Sequence, residues 1–373
     1  MSSPKPSRAE RLFLELLSSA LNRRAVDGSL FVRLPRKLWL QIITIAHKQC
    51  VPALVGEVIL SLPKEALPER QLYLKLALIV EATKASNQHQ RHCLHRLRAS
   101  YEAEGLPFVL LKGQSLALYY PESDLRAVGD IDVYLYRPGD YERANAWAQR
   151  QGYPLIGMAL YEQPYRMEDM IIENHLYITY FGRKKYDSYL SRIMDEVIHH
   201  DAFERIKIDG QTYLSLPCEL NAVYIFQHIL HHFAYLGIAF RQVCDWIYYL
   251  QRHREQMDVE LFGRYAQELD LMRPMQIFAL MAVKYLGIEA KIFPFGLSQE
   301  DHLADVVLRE IFDGGNFGFE AFRGKSFHNI WQRRWYMFHR TVIRSLRVSP
   351  ISPEHIRNIG WIAILTRLKL LFR

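Results

Sequence analysis

The sequence predicts an α+β protein: a small mixed-sheet core with helices, flanked by N-terminal and C-terminal helical regions. Three observations predict it. Residues 1–100 carry apolar residues at helical spacing. Between Gly105 and Leu216, short runs of strand-forming residues alternate with helical stretches. After Pro217 the helical spacing returns and continues to the end. The regions are accordingly 1–100, N-terminal helical; 101–216, α/β core; and 217–373, C-terminal helical with a basic end.

The elements follow in order. Arg11 to Leu21 bears Leu12, Leu14, Leu16, Leu17 and Leu21, a broad helical stripe. Leu38 to Gln49 and Val51 to Leu62 are apolar at mixed spacing. Leu72 to Tyr101 is long, free of Gly and Pro, and rich in helix formers, with a polar second half, Asn87-Gln88-His89-Gln90-Arg91-His92. Pro107-Phe108-Val109-Leu110-Leu111 is a short continuous apolar run that suits a buried strand. Lys112-Gly113-Gln114-Ser115 then leads into a helical run, Leu116 to Tyr120, stopped by Pro121. Asp130 to Tyr136 alternates as a second strand, and Asp140 to Gln151 is an amphipathic helix closed by Gly152. Met170 to Phe181 reads as a third strand, and Ile206 to Leu216 as a hairpin turning at Asp209-Gly210. Glu219 to Tyr235 and Phe240 to Arg252 are helices, and Gly314-Gly315-Asn316-Phe317-Gly318 is a loop by composition.

Half of the 373 residues are hydrophobic and 13% aromatic, enough for a substantial core and against a disordered chain. The net charge of +7 is uneven, because residues 321–373 hold eleven of the 47 basic residues and a single acid, Glu354. Such an end invites nucleic acid, an anionic membrane surface or another polyanion, or is simply a solvated helical face. Trp331-Gln332-Arg333-Arg334-Trp335-Tyr336, Arg340 to Arg347 and Trp361 to Arg373 mix basic and aromatic residues, a composition that stacks bases and neutralises phosphates. Cys50, Cys93, Cys218 and Cys244 form no CxxC pair, which argues against a disulfide framework or zinc knuckle and for a reducing, cytoplasmic setting. Met1 to Glu10 lacks the apolar stretch of a signal peptide, and no apolar run reaches the ~18 residues of a transmembrane segment.

The chemistry gathers at Gly129-Asp130-Ile131-Asp132. On a strand, residues i and i+2 share a face, so Asp130 and Asp132 point one way and Ile131 and Val133 the other. Two carboxylates that close repel unless a cation lies between them, and clustered oxygen ligands suit Mg²⁺ or Mn²⁺. The preceding strand ends in Lys112-Gly113-Gln114-Ser115, where a glycine lets backbone N–H groups approach a phosphate. Lys112 and Arg126 add positive charge for a triphosphate.

This order of strand, glycine turn, helix and acid–apolar–acid strand resembles the DNA polymerase β-like nucleotidyltransferase superfamily. More narrowly it is similar to the uncharacterised bacterial nucleotidyltransferase family that reads Leu-Lys-Gly and then Arg-x-x-Gly-Asp-Ile-Asp, here Leu111-Lys112-Gly113 and Arg126-Ala127-Val128-Gly129-Asp130-Ile131-Asp132. The likeness continues at His228, at Arg241-Gln242-Val243-Cys244-Asp245-Trp246 and at Gly315-Asn316-Phe317-Gly318, so it covers most of the chain past about residue 40. Two departures stand out. The superfamily usually follows the first strand with Gly-Ser, whereas Gly113 is followed by Gln114 and Ser115 comes one place later. The spacing from Gly113 to Asp130 is also longer than usual.

The resemblance implies transfer of a nucleoside monophosphate from an NTP to a hydroxyl acceptor, with Mg²⁺ or Mn²⁺ held by Asp130, Asp132 and a third carboxylate on a later strand. Glu173, two residues before His175, is the candidate for that ligand or for the base that activates the acceptor, with Asp169 and Asp187 as rivals. Lys112, Gly113, Gln114, Ser115, Arg126 and Gly129 are the candidate nucleotide-binding residues. The acceptor stays open among RNA, protein and sugar. Two other readings remain: a non-catalytic nucleotide-binding sensor or assembly module, and an RNA-modifying, toxin-like enzyme. His228 and His232 share a helical face, but no Glu follows His228 as a metalloprotease motif requires.

Overall fold

The computed structural model describes residues 5–157, 161–235, 237–315 and 329–356. Asn316-Phe317-Gly318 and the basic stretches 321–328 and 361–373, singled out above, lie outside the described residues. Thirteen described helices and six strands form a mixed α+β protein: α1 (Arg8–Asn22), α2 (Arg36–Lys48), α3 (Pro52–Leu60), α4 (Arg70–Ala103), β1 (Val109–Leu110), α5 (Gln114–Ala117), β2 (Ile131–Tyr134), α6 (Asp140–Arg150), β3 (Glu162–Met167), β4 (Met170–His175), α7 (Lys184–His199), β5 (Glu204–Ile208), β6 (Gln211–Ser215), α8 (Cys218–Tyr235), α9 (Phe240–His253), α10 (Val259–Glu268), α11 (Met272–Leu286), α12 (Asp301–Gly314) and α13 (Ile330–Val348). No described helix is long and apolar enough to cross a membrane.

Contacts group the chain into two compact units. One joins Met1–Leu76, Phe226–Arg254 and Asp270–Arg373; the other joins Ala77–Ile225 and Glu255–Leu269. The first unit is helical. Phe13, Phe240 and Phe312 meet ring to ring, and Phe226 packs on both Trp246 and Phe278. Arg344 of α13 is buried there, bonding Glu310 of α12 at 2.8 Å and the Ala234 carbonyl at 2.8 Å. Part of the basic charge of the C-terminal region thus serves an internal ion pair. Trp331 and Trp335 of α13, by contrast, are more than half exposed.

The second unit is built on a six-stranded mixed sheet in the order β3-β4-β2-β1-β6-β5. β1 runs antiparallel to β2 and parallel to β6, while β2 runs parallel to β4. Alternation along the strands gives two cores. Leu110, Ile131, Val133 and Ile172 pack with Leu94, Leu97 and Tyr101 of α4 and Trp147 of α6. Val109, Leu111 and Tyr134 pack with Leu190, Ile193 and Met194 of α7 and Leu220 and Tyr224 of α8. The sheet is therefore covered on both faces, which is why the central strand β1 reads as a continuous apolar run.

The hairpin expected at Asp209-Gly210 is present, both turn residues having positive φ as a two-residue hairpin turn requires. Three elements differ from expectation. The strand read from Met170 to Phe181 ends at His175, and Lys184–His199 is a helix whose Tyr186, Leu190, Ile193, Met194 and Val197 are buried at helical spacing. β3 was not anticipated, because Glu162-Gln163-Pro164-Tyr165-Arg166-Met167 carries two charges and a proline. It is the terminal strand of the sheet, met on its outer side only by the isolated bridge Leu155–Tyr165, and proline is tolerated at such an edge. The helix expected at Leu116 to Tyr120 is a single turn, Gln114–Ala117.

Candidate active site

β2 and β4 pair in parallel with Asp132 opposite Glu173 and Tyr134 opposite His175. Directly opposed residues of a sheet share a face, so register alone places Asp132, Glu173 and His175 together. Their potential ligand atoms all lie within 4.8 Å of one another. The reason for this side is the alternation: Ile131 and Val133 belong to the α4–α6 core, which leaves Asp132 on the α7–α8 face.

Asp132 is completely buried. Its Oδ1 accepts from Lys112 Nζ at 2.8 Å and from His175 Nε2 at 3.1 Å, whereas its Oδ2 has no partner. Burial alone would push the Asp132 carboxyl up, but Lys112 and His175 outweigh it and hold the group well below the usual carboxylate range. Lys112 is likewise disfavoured as a cation by burial, and Asp132 more than reverses this, so the ammonium stays charged. His175 is pushed up to about 9: burial opposes the imidazolium, and bonds to Asp132 and Glu173 overcome it. Its Nδ1 has no hydrogen bond and lies 3.9 Å from Glu162. Glu173 Oε2 is 3.7 Å from His175 Nε2, and its carboxyl is pushed up to about 8 by burial, with the charges of Asp132 and Asp130 adding to the rise.

Asp130 sits one residue ahead of β2, half-exposed, and its carboxylate makes no hydrogen bond or ion pair among the described residues. It acts on Lys112 and Glu173 through space but is not part of the tight cluster. The rival acids stand elsewhere. Asp169 is an exposed turn residue bonded to His89, and Asp187 accepts from the Phe181 amide near the start of α7. His89, Glu168 and Asp169 form a second, fully exposed group. His232 meets His228 and His231 edge-on in α8, and the three belong to neither group of potential metal ligands among the described residues.

Gly113 has φ +68°, and a Cβ there would lie 3.1 Å from the Asp130 carbonyl oxygen. The turn therefore needs glycine twice over, for its backbone conformation and for its approach to the entry of β2. Ser115 is buried and bonds back to the Leu111 and Lys112 carbonyls, at 3.4 and 3.3 Å. Gln114 is buried too, its amide donating to Asn87 Oδ1 at 2.9 Å and Gln90 Oε1 at 2.7 Å. Arg126 is buried in the segment before β2, its carbonyl accepting from Asn87, and the Gly129 carbonyl accepts from Gln90. Of the residues expected to hold a nucleotide, Lys112 is the one whose side chain lies on the acids.

Sequence reasoning passed over Asn87, Gln90, Glu162, Tyr161 and Tyr224. For the first two a signal existed: Val80, Asn87, Gln90, Leu94, Leu97 and Tyr101 lie on one helical stripe, and all are buried. Two amides on an otherwise apolar stripe call for partners. Tyr161, packed near His175 and pushed up to about 12 by burial, and Tyr224, buried by Lys112 and Asp132, carried no local pattern.

A strand, a Lys-Gly turn and a parallel pair of strands bearing acids in register define a nucleotidyltransferase-type core. The family model described as an uncharacterised nucleotidyltransferase matches residues 35–287, about two thirds of the chain, and the chain belongs to that family. Membership supports nucleotidyl transfer as its general activity. No curated protein and no solved structure matches the chain.

Proposed function

We propose that the protein is a metal-dependent nucleotidyltransferase that moves a nucleoside monophosphate from an NTP to a hydroxyl acceptor. One observation carries the reading: a wholly buried carboxylate, Asp132, with one oxygen engaged by Lys112 and His175 and the other without a partner, beside Glu173. A buried acceptor left unpaired is costly, and a cation ligated by it removes that cost. Carboxylate oxygens suit Mg²⁺ or Mn²⁺. Asp132 and Glu173, with Asp130 at the rim, are the residues that would hold it. When bound, the ion would supply charge neutralisation at the triphosphate and at the attacking oxygen.

The chain's own groups divide the remaining work. Lys112, a buried cation on Asp132, is placed to turn to a phosphate oxygen. The acceptor oxygen bonds to the α-phosphorus as the α–β phosphoanhydride bond breaks and pyrophosphate leaves. Glu173, as third carboxylate, ligates the ion or takes the hydroxyl proton; its carboxyl is pushed up to about 8 in the metal-free chain, so either role begins with loss of its own proton. His175 fixes the orientation of Asp132. RNA, protein and sugar hydroxyls are the acceptor classes to test.

The test supplies each NTP labelled at the α-phosphate, with Mg²⁺ or Mn²⁺, and follows pyrophosphate release, self-labelling and transfer to added RNA. Activity lost in Asp130→Ala and Asp132→Ala is expected. No turnover with any NTP, or turnover unchanged in both variants, overturns the proposal; nucleotide-dependent stabilisation without product would favour a binding module instead.

A further inference from the structure

We infer that Asn87, Gln90 and Gln114 form a positioning clamp that sets the backbone entering β2, and thereby aims Asp130 at the site built on Asp132 and Glu173. The inference rests on the metal-site reading just given. The three side chains are almost wholly buried, at 1%, 0% and 4% exposure. Their amides interlock. Gln114 donates to the side-chain oxygens of Asn87 (2.9 Å) and Gln90 (2.7 Å). Asn87 in turn donates to the Asp124 and Arg126 carbonyls at 2.9 and 2.8 Å, and Gln90 to the Gly129 carbonyl at 2.7 Å. A longer contact joins Gln90 to the Asp130 carbonyl at 3.4 Å.

The segment Asp124–Asp130 holds a short 3₁₀ turn, Ser123–Leu125, and no strand pairing of its own. Three of its carbonyls are instead gripped from α4. Gln114 ties that grip to the Lys-Gly turn, which approaches Asp130 closely enough that a Cβ on Gly113 would sit 3.1 Å from the Asp130 oxygen. The Asp130 carboxylate makes no hydrogen bond among the described residues, so the backbone that carries it is what positions it. This explains the glutamine that follows Gly113. A serine side chain cannot span to two acceptors on α4, whereas a glutamine amide has two N–H groups for them. Interlocked buried amide networks of this kind are rigid, and groups that orient metal ligands typically change metal affinity about 10–100-fold when removed.

The test uses the full chain and Mn²⁺ alone as probe. Gln114→Met and Gln90→Met keep length and remove the amides. Ile208→Ala, on the far edge strand β5, or Ile208→Val serves as a control, whichever better matches their loss of melting temperature. In metal-free protein, hydrogen exchange of the peptide covering 122–132 should quicken about tenfold in both methionine variants and stay as in wild type in the control. Mn²⁺ affinity, read from free-ion electron spin resonance, should fall about tenfold in the methionine variants alone. Unchanged exchange in 122–132 overturns the clamp whatever the metal does. Faster exchange with unchanged Mn²⁺ affinity, or an equal affinity loss in the control, reduces it to a structural role and overturns the inference. If wild type binds no Mn²⁺, the metal reading falls and the aiming role falls with it, an outcome separate from a clamp that fails in the variants.

Discussion

Asp130→Asn and Asp132→Asn each remove one charge from the same four-residue motif, yet the structure predicts a large loss of stability for the second and almost none for the first. Asp132 is wholly buried and is the counter-charge of Lys112, whose side chain is 13% exposed, at 2.8 Å. Removing one partner of a buried pair costs about 3–5 kcal/mol, and the low end applies because an Asn oxygen still accepts from Lys112 and His175. For a unit of this size each kcal/mol is worth about 2–4 °C, so Asp132→Asn should melt about 6–12 °C below wild type. The Asp132 carboxyl is held below its ordinary range, so this contribution is complete above that range and is lost only on acidification; the measurement belongs near neutral pH. Asp130 is part-buried with no side-chain partner among the described residues, and its substitution should stay within about 0.5 kcal/mol of wild type. Both variants should lose about 3 kcal/mol of transition-state stabilisation, roughly 100-fold in transfer rate. Thermal melts with and without Mn²⁺, paired with single-turnover rates, decide it. An Asp132→Asn protein melting with wild type, or an Asp130→Asn protein as unstable as Asp132→Asn, refutes the reasoning.

Three further outcomes follow from the same geometry. Glu173 is pushed up to about 8, so the metal-free protein should lose stability as pH climbs from the ordinary glutamate range through about 8, and Mn²⁺ should bind up to about tenfold more tightly per pH unit below that value, levelling above it; a flat calorimetric profile contradicts the assigned ligand. Gly113→Ala places a Cβ 3.1 Å from the Asp130 carbonyl at φ +68°, and should cost about 1–3 kcal/mol in denaturant melts while weakening Mn²⁺ binding. Tyr101→Phe deletes a hydroxyl that donates to Asn174 at 2.8 Å, and should cost about 1–2 kcal/mol with Mn²⁺ affinity unchanged, because Asn174 alternates to the opposite face from Glu173 and His175.

What the sequence disclosed follows from the range of the interactions involved. The helices α1 to α4, α6, α8 and α9 were legible because apolar spacing is local, and the hairpin at Asp209-Gly210 because its turn chemistry is local. The Asp130–Asp132 motif and the Lys-Gly turn were legible for the same reason. The encounter of Asp132 with Glu173 was expected from the family resemblance and not from any local pattern, since it depends on β4 lying beside β2 in one register among several, a choice made by β3 and by the cores on both faces. Edge strand β3 hid behind Pro164 and its charges. That residues 1–76 join Phe226–Arg254 and the chain beyond Asp270 in one compact unit is a long-range fact with no local trace.

The charge balance of the site links its chemistry to its stability. In the metal-free chain two carboxylates, Asp132 and Glu173, share a buried neighbourhood that can hold both as anions only against a high electrostatic cost. Three features lower that cost: Lys112 and His175 donate to Asp132, and Glu173 favours its neutral form. On the reading proposed above, a divalent ion would take over from two of these, the Glu173 proton and Lys112, while His175 keeps its bond to Asp132. Glu173 would give up its proton, Lys112 would be released toward a phosphate, and Asp132 Oδ2 would gain the partner it lacks. The residue that balances Asp132 in the metal-free chain would then be the same one that meets the substrate. A Lys112→Met protein should accordingly be destabilised without metal and regain most of that loss when Mn²⁺ is added, since the ion takes over as counter-charge to Asp132. A deficit that persists at saturating Mn²⁺ would mean that Lys112 serves the fold alone.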